Sequence, residues 1–172
     1  VDRGGGIFGI CNGFQVLVKA GLLPGGDAGR DSVTVTYNDS AHFEARWVKL
    51  QVCTDRCPFL TPGTILEMPV EHAEGKVVTV SDTETQRLAA AGRIALRYVD
   101  DQGRSDRYPA NPNGSSGGIA GLCDDTGRIF GLMPHPDRHF DPTHHPHWTR
   151  RTVTGPPDGL TVFQSAVRHW AS

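Results

Sequence analysis

The pentapeptide Gly9-Ile10-Cys11-Asn12-Gly13 constrains the fold of this chain more than any other segment. It follows a short apolar run (Ile7, Phe8, Ile10) and opens an amphipathic stretch carrying Phe14, Val16, Leu17, Val18 and Leu22. That pattern predicts a buried strand over 6–10, a tight turn, and a helix over 12–21 ended by Gly21 and Pro24. Glycines on either side let such a turn tighten and lift the residue at its tip into a cleft, as in a nucleophile elbow. A cysteine at that point also sits at a helix N-terminus, where the dipole favours thiolate over thiol. The same residues are compatible with a core cysteine beside a glycine turn, so the elbow needs partners elsewhere in the chain.

Pro134-His135-Pro136-Asp137 supplies them. A cysteine nucleophile needs a base to take its proton and return one to the leaving group. It also needs a third group to fix the imidazole tautomer. His135 and Asp137 are two apart, so on an extended segment they point the same way. The run Arg128–Met133 reads as a strand ending at this motif. A base and its orienter at a strand end, facing an elbow, form an acyl-transfer arrangement.

The rest of the chain reads as alternating elements. Residues 33–37, 46–53, 64–70, 76–80 and 93–99 have the character of strands, and 82–91 that of a helix opening on a capping residue and stopped by Gly92. Residues 119–123 and 128–133 flank Asp124-Asp125-Thr126-Gly127, a hairpin signal. Gly25, Gly26 and Gly29 mark a flexible connection, and 100–118 read as loop. The segment 134–158 is too rich in proline for a long regular element. Leu160, Phe163, Val167 and Trp170 fall on one helical face, predicting a C-terminal helix over 159–170 docked by that stripe.

Length and charge narrow the function classes. The 172 residues fit one domain with a real core, and a formal charge of −2 implies no basic face for nucleic acid. No apolar run approaches membrane length and no signal peptide is visible, so a cytoplasmic protein is expected. Cys53 and Cys57 lack a second cysteine pair and read as structural rather than metal-binding. His139, His144, His145 and His147 are interrupted by Pro142 and Pro146 and read as adventitious surface histidines.

Several runs together resemble one branch of the class I glutamine amidotransferases. They are Gly9-Ile-Cys-Asn-Gly-Phe-Gln15, Gly21-Leu-Leu-Pro-Gly25, Phe43-Glu44 with Arg46-Trp47, and His72-Ala-Glu-Gly-Lys76. Ala95-Leu-Arg-Tyr-Val99, Tyr108-Pro-Ala-Asn-Pro-Asn-Gly-Ser115 and Gly131-Leu-Met-Pro-His-Pro-Asp-Arg138 extend the likeness across nearly the whole chain. The branch is the glutaminase of phosphoribosylformylglycinamidine synthase.

The resemblance implies an α/β, flavodoxin-like three-layer sandwich. It implies glutamine amide hydrolysis by Cys11, His135 and Asp137, with the Asn12 N–H in the oxyanion hole and Gln15 against the bound glutamine. Ammonia would pass to a synthetase subunit or domain, with a small accessory subunit as a further partner. No phosphate-cradling G-x-x-x-x-G-K-[ST] run occurs, so no cofactor is expected in this chain, and ATP and Mg belong to the synthetase. His72, Glu74, Lys76 and the Asn111–Ser115 loop are candidates for partner contact or site lining, or for ordinary turn chemistry.

Two features depart from the family pattern. Asp137 stands where the family usually has glutamate, so its contact to His135 requires a closer backbone. Several strands and a Gly-rich loop precede the elbow in the family, so the resemblance implies a single glutaminase domain over 1–172, expected to correspond to the C-terminal two-thirds of such an enzyme without its N-terminal portion. The competing expectation is an inactive module that only docks on the synthetase.

Overall fold

The strand before the elbow forms the edge of a mixed sheet. A computed structural model describes residues 1, 3–26, 31–150 and 154–171. The strands are β1 (Ile7–Ile10), β2 (Val33–Thr36), β3 (Glu44–Val52), β4 (Ile65–His72), β5 (Lys76–Thr79), β6 (Ile94–Val99), β7 (Ile119–Cys123) and β8 (Ile129–Leu132). Among the described residues three helices, α1 (Asn12–Lys19), α2 (Asp82–Ala90) and α3 (Asp158–Trp170), complete the regular elements apart from short 3-10 turns. The six-stranded sheet runs β1-β8-β7-β6-β3-β4, and β2 pairs with β5 as a separate ribbon.

β1 and β8 are parallel, with Ile10 opposite Leu132; the other pairs are antiparallel. The two parallel strands therefore end together, and their carboxyl ends place Cys11 beside the segment that leads to His135. Crevices at such strand ends are the usual ligand sites of open α/β sheets.

The sheet has apolar layers on both faces, as the alternation along β8 shows. Ile129 and Met133 pack with Phe14, Leu17 and Val18 of α1, whereas Phe130 and Leu132 pack with Val162 of α3 and with Phe59 and Leu60. Phe8, Phe59, Phe130, Phe163 and Trp170 form an aromatic cluster in the second layer.

Local chemistry explains the boundaries. The side chain of Ser81, rather than a residue inside α2, accepts the Glu84 N–H at 3.1 Å and caps the helix. The hairpin between β7 and β8 is held by Asp124, whose carboxylate accepts the Ile129 N–H at 3.0 Å. The Gly25–Gly26–Gly29 connection runs beyond the described residues at Gly29, and the proline-rich 134–158 loop does so at 151–153.

The docked face of α3 is the expected one in part: Phe163 and Trp170 pack in the aromatic cluster, but the face is rotated away from Val167. Gly159, Val162 and Ser165 are the buried residues, while Val167 is 65 % exposed. The cause is backbone proximity. A Cβ on Gly159 would lie 2.1 Å from the Pro136 carbonyl oxygen and 2.5 Å from that of His139. Only a glycine admits this approach, which turns the Gly159, Val162 and Ser165 edge of the helix inward.

Candidate active site

Cys11 occupies a backbone conformation that L-residues seldom adopt. Its φ is 51° and ψ −105°, and it stands as the N-cap residue of α1. The Cys11 N–H donates to the Leu132 carbonyl at 2.8 Å, pinning the elbow to the end of β8. Gly9 is required here, because a Cβ there would meet Leu17 Cδ1 at 2.6 Å and the Gly13 carbonyl at 2.8 Å. Gly13 is different: nothing lies within 4 Å of a Cβ built on it, so packing does not demand glycine there.

The thiol of Cys11 is half-buried and lies 3.9 Å from the Glu71 carbonyl oxygen. Burial pushes this thiol above its ordinary value, against the Asn12 backbone N–H, which favours the thiolate. The carboxylates of Asp137 and Glu71 push in the same direction as burial, and Arg138 opposes them. The dipole of the short α1 therefore does not make a resting thiolate, and the site needs a base.

His135 is placed by its own backbone, whose N–H donates to the Pro69 carbonyl of β4 at 2.8 Å. Its Nδ1 lies 3.2 Å from Asp137 Oδ1. The contact is not made along an extended segment. Pro136–Arg138 form a 3-10 turn, and the turn brings the shorter aspartate back to the imidazole. The side chain of His135 is only 14 % exposed, and its Nε2 is buried with no hydrogen-bond partner. With Nδ1 oriented by Asp137, Nε2 is the ring atom open to accept a proton.

Gln15 bridges two parts of this edge. Its Nε2 donates to the Glu74 carbonyl at 2.5 Å, and its Oε1 accepts from Asn12 Nδ2 at 3.1 Å. The turn between β4 and β5 is thus tied to α1. A buried polar network supports the turn from behind. Asn113 donates to the Gly75 carbonyl at 2.8 Å, and Ser115 Oγ accepts the Val77 N–H at 2.9 Å. Asn111, Asn113 and Ser115 are all buried, so this loop scaffolds the turn instead of forming an outward surface.

His72 is buried in the same network. Asn38 Nδ2 donates to the His72 and His42 carbonyls, so Asn38 Oδ1 is an acceptor, and it takes the His72 Nδ1 proton at 3.1 Å. The His72 Nε2 lone pair is buried without a partner. Burial, with a smaller contribution from nearby His135, lowers the imidazole to about 4. The linkage has a definite sign. Between pH 6.5 and 4 the unfolded chain binds a proton that the folded chain refuses, so stability is lost as the pH falls through that window. Urea unfolding midpoints are expected to drop across it, and His72→Gln is expected to flatten the drop; an equally steep loss in the variant would assign it elsewhere.

The remaining candidates fall outside this edge. His139 and His145 are not surface histidines: they are 7 % and 3 % exposed and pack on the Trp47 ring at centroid distances of 4.8 and 4.5 Å. The spacing of prolines around them hid that burial, because nothing local reveals that Trp47 of β3 lies beneath. Cys53 is exposed and Cys57 buried. Among the described residues no group of three or more His, Cys, Asp or Glu is placed to hold a metal ion. A cleft of about 550 Å³ opens beside the site between Asp137, Arg138, Glu71, Trp47, Phe140 and His144. A larger hollow, about 620 Å³ around Cys53 and Arg97, contains none of Cys11, His135 or Asp137. Glu71 and Arg138 were not singled out from sequence as site residues, yet the Glu71 carbonyl lies 3.9 Å from the thiol and the charges of both side chains act on it.

Residues 1–170 match the model of the CobB/CobQ-like glutamine amidotransferase domain. The chain belongs to this family. Its similarity to family members extends over almost its full length. It is 42 % identical over 172 residues to the phosphoribosylformylglycinamidine synthase subunit PurQ of Dehalococcoides mccartyi, covering 99 % of this chain and 65 % of that protein. It is 45 % identical to PurQ of Archaeoglobus fulgidus, covering 97 % of this chain and 64 % of that protein. Among solved structures it resembles PurLQS from Thermotoga maritima, with a TM-score of 0.69 and 33 % identity over 98 % of this chain and 63 % of the matched one. The chain thus spans slightly less than two thirds of the relatives it matches. The fold is the mixed α/β architecture of class I glutamine amidotransferases, and no helix among the described residues is long and apolar enough to cross a membrane.

Proposed function

We propose that this chain carries the glutamine-hydrolysing site of a phosphoribosylformylglycinamidine synthase and supplies its ammonia. One observation carries the reading: a strained elbow cysteine and a carboxylate-oriented histidine with an unpartnered Nε2 converge on the ends of two parallel strands.

In this reading His135 Nε2 takes the Cys11 proton as sulfur attacks the carboxamide carbon of glutamine. The oxyanion is held by the Asn12 N–H at the start of α1. The C–N bond then breaks, His135 returns the proton to nitrogen, and ammonia leaves a γ-glutamyl thioester. Water, deprotonated by His135, cleaves the thioester to glutamate, and sulfur regains its proton. Asp137 holds the imidazole in the tautomer that leaves Nε2 free. Gln15, which ties the β4–β5 turn to α1, lies against the bound glutamine. The ammonia passes to a synthetase partner, assisted by a small accessory subunit; ATP and Mg chemistry belongs there, and this chain needs no cofactor of its own. The names of the PurQ relatives and of the PurLQS assembly support the partner class.

The test is site-resolved labelling by a diazoketone analogue of glutamine. Alkylation of Cys11 that glutamine suppresses, with the exposed Cys53 unmodified, is expected. Equal labelling of Cys11 and Cys53, or labelling that glutamine does not suppress, overturns the assignment.

A further inference from the structure

Arg138 Nη1 lies 2.7 Å and 2.5 Å from the two carboxylate oxygens of Glu71. This pair joins two parts of the site that the sequence separates by 67 positions. Glu71 lies on β4, and its backbone carbonyl lies 3.9 Å from the Cys11 sulfur. Arg138 ends the turn that begins after His135 and contains Asp137. The pair lines the cleft that opens beside Asp137.

We propose that the Glu71–Arg138 ion pair is a positioning pair for amide hydrolysis: it fastens the His135–Asp137 turn to the strand facing the thiol, and it sets the net charge that the thiol meets. The consequence for turnover rests on Cys11 being the nucleophile; the charge effect itself does not.

A purely stabilising role is a poor account of the pair. The Glu71 and Arg138 side chains are 28 % and 53 % exposed, and ion pairs this open contribute little to folding. Their effect on a half-buried neighbour is another matter, since one charge of each sign sits beside a sulfur that must ionise. The groups facing Cys11 are Glu71 from β4, Asp137 and Arg138 from the turn, and the buried Tyr98 hydroxyl from β6, with His135 beside Asp137; the first turn of α1 contributes no acidic side chain. Without Arg138, two carboxylates would face the thiol unopposed. Without Glu71, one carboxylate and the guanidinium would remain.

This asymmetry gives a test that a structural role fails. The rate of Cys11 alkylation by iodoacetamide is followed against pH at low salt, resolved by peptide mass spectrometry. Arg138→Gln is expected to move the midpoint up by about 0.5 of a pH unit, and Glu71→Gln to move it down by a similar amount. Below the midpoint these shifts read as about threefold slower and about threefold faster alkylation. Arg138→Lys, which keeps the charge, is expected to restore the wild-type midpoint, and added salt to shrink both shifts. Because both Gln variants break the same ion pair, a merely structural pair would move both midpoints in one direction or neither. Either result overturns the proposal. The buried Cys57 and Cys123 report the fold in the same digest, and their labelling in a Gln variant would show a structural pair and overturn it equally. Failure of the glutamine-protection experiment would instead remove the nucleophile assignment while leaving these opposed shifts intact.

Discussion

His135→Ala is expected to lower ammonia release from glutamine by about 10²–10⁴-fold at neutral pH. The expectation follows from the state of the thiol. Burial and two carboxylates hold Cys11 above its ordinary value, so near neutrality almost all of it is protonated and cannot attack unaided. In the proposed mechanism the buried, unpartnered Nε2 of His135 accepts that proton. Removing it takes away both the activation step and the later return of a proton to nitrogen. The two losses can be separated. Simple alkylation of Cys11 needs only the thiolate, so at a pH above the thiol's own range the variant should react with iodoacetamide as fast as wild type. Turnover should not recover there, because the leaving amine still lacks its acid. Turnover within threefold of wild type at neutral pH would remove His135 from the mechanism.

The elbow and the histidine motif were legible because each is local. Gly9 must be small where α1 folds back on β1, and the apolar run, the turn and the amphipathic helix all lie within a few residues of it. Strands were legible for the same reason, from alternation that a half-buried sheet imposes. What the chain hides is the outcome of long-range packing. No local pattern says that β1 lies parallel to β8, yet that pairing sets Cys11 at the end of β8, from which the chain runs on to His135. The burial of His139 and His145 depends on Trp47, and the Glu71–Arg138 contact depends on how β4 meets the turn after β8. Helix α3 shows the limit most clearly. Phe163 and Trp170 dock as their spacing suggested, but a close backbone approach at a single glycine rotates the face so that Val167 is left exposed.

That glycine carries the second large effect. Gly159→Val is expected to destabilise the protein by about 3 kcal/mol or more, and to lower glutamine turnover beyond what the lost folded fraction explains. The new side chain would collide with the Pro136 and His139 carbonyls, which are backbone atoms and cannot rotate away. Neither partner can easily yield. Behind the turn, His139 Nδ1 is held 2.8 Å from the Glu67 carbonyl and its ring lies against Trp47. On the helix side, the Leu160 N–H donates to the His139 carbonyl, Asp158 accepts the Glu67 N–H at 2.7 Å, and Trp170 Nε1 donates to the Gly4 carbonyl at 2.7 Å. The strain must therefore either detach the start of α3 or push back the turn containing Asp137. A shift of that turn reaches His135 directly through Pro136, and displacements well under an ångström matter to proton transfer. Gly5→Val is the control, since nothing lies within 4 Å of a Cβ at Gly5. Urea unfolding with turnover per folded molecule distinguishes the cases. A Gly159→Val protein with wild-type stability would show that the turn moves freely, and that α3 does not hold the histidine in place.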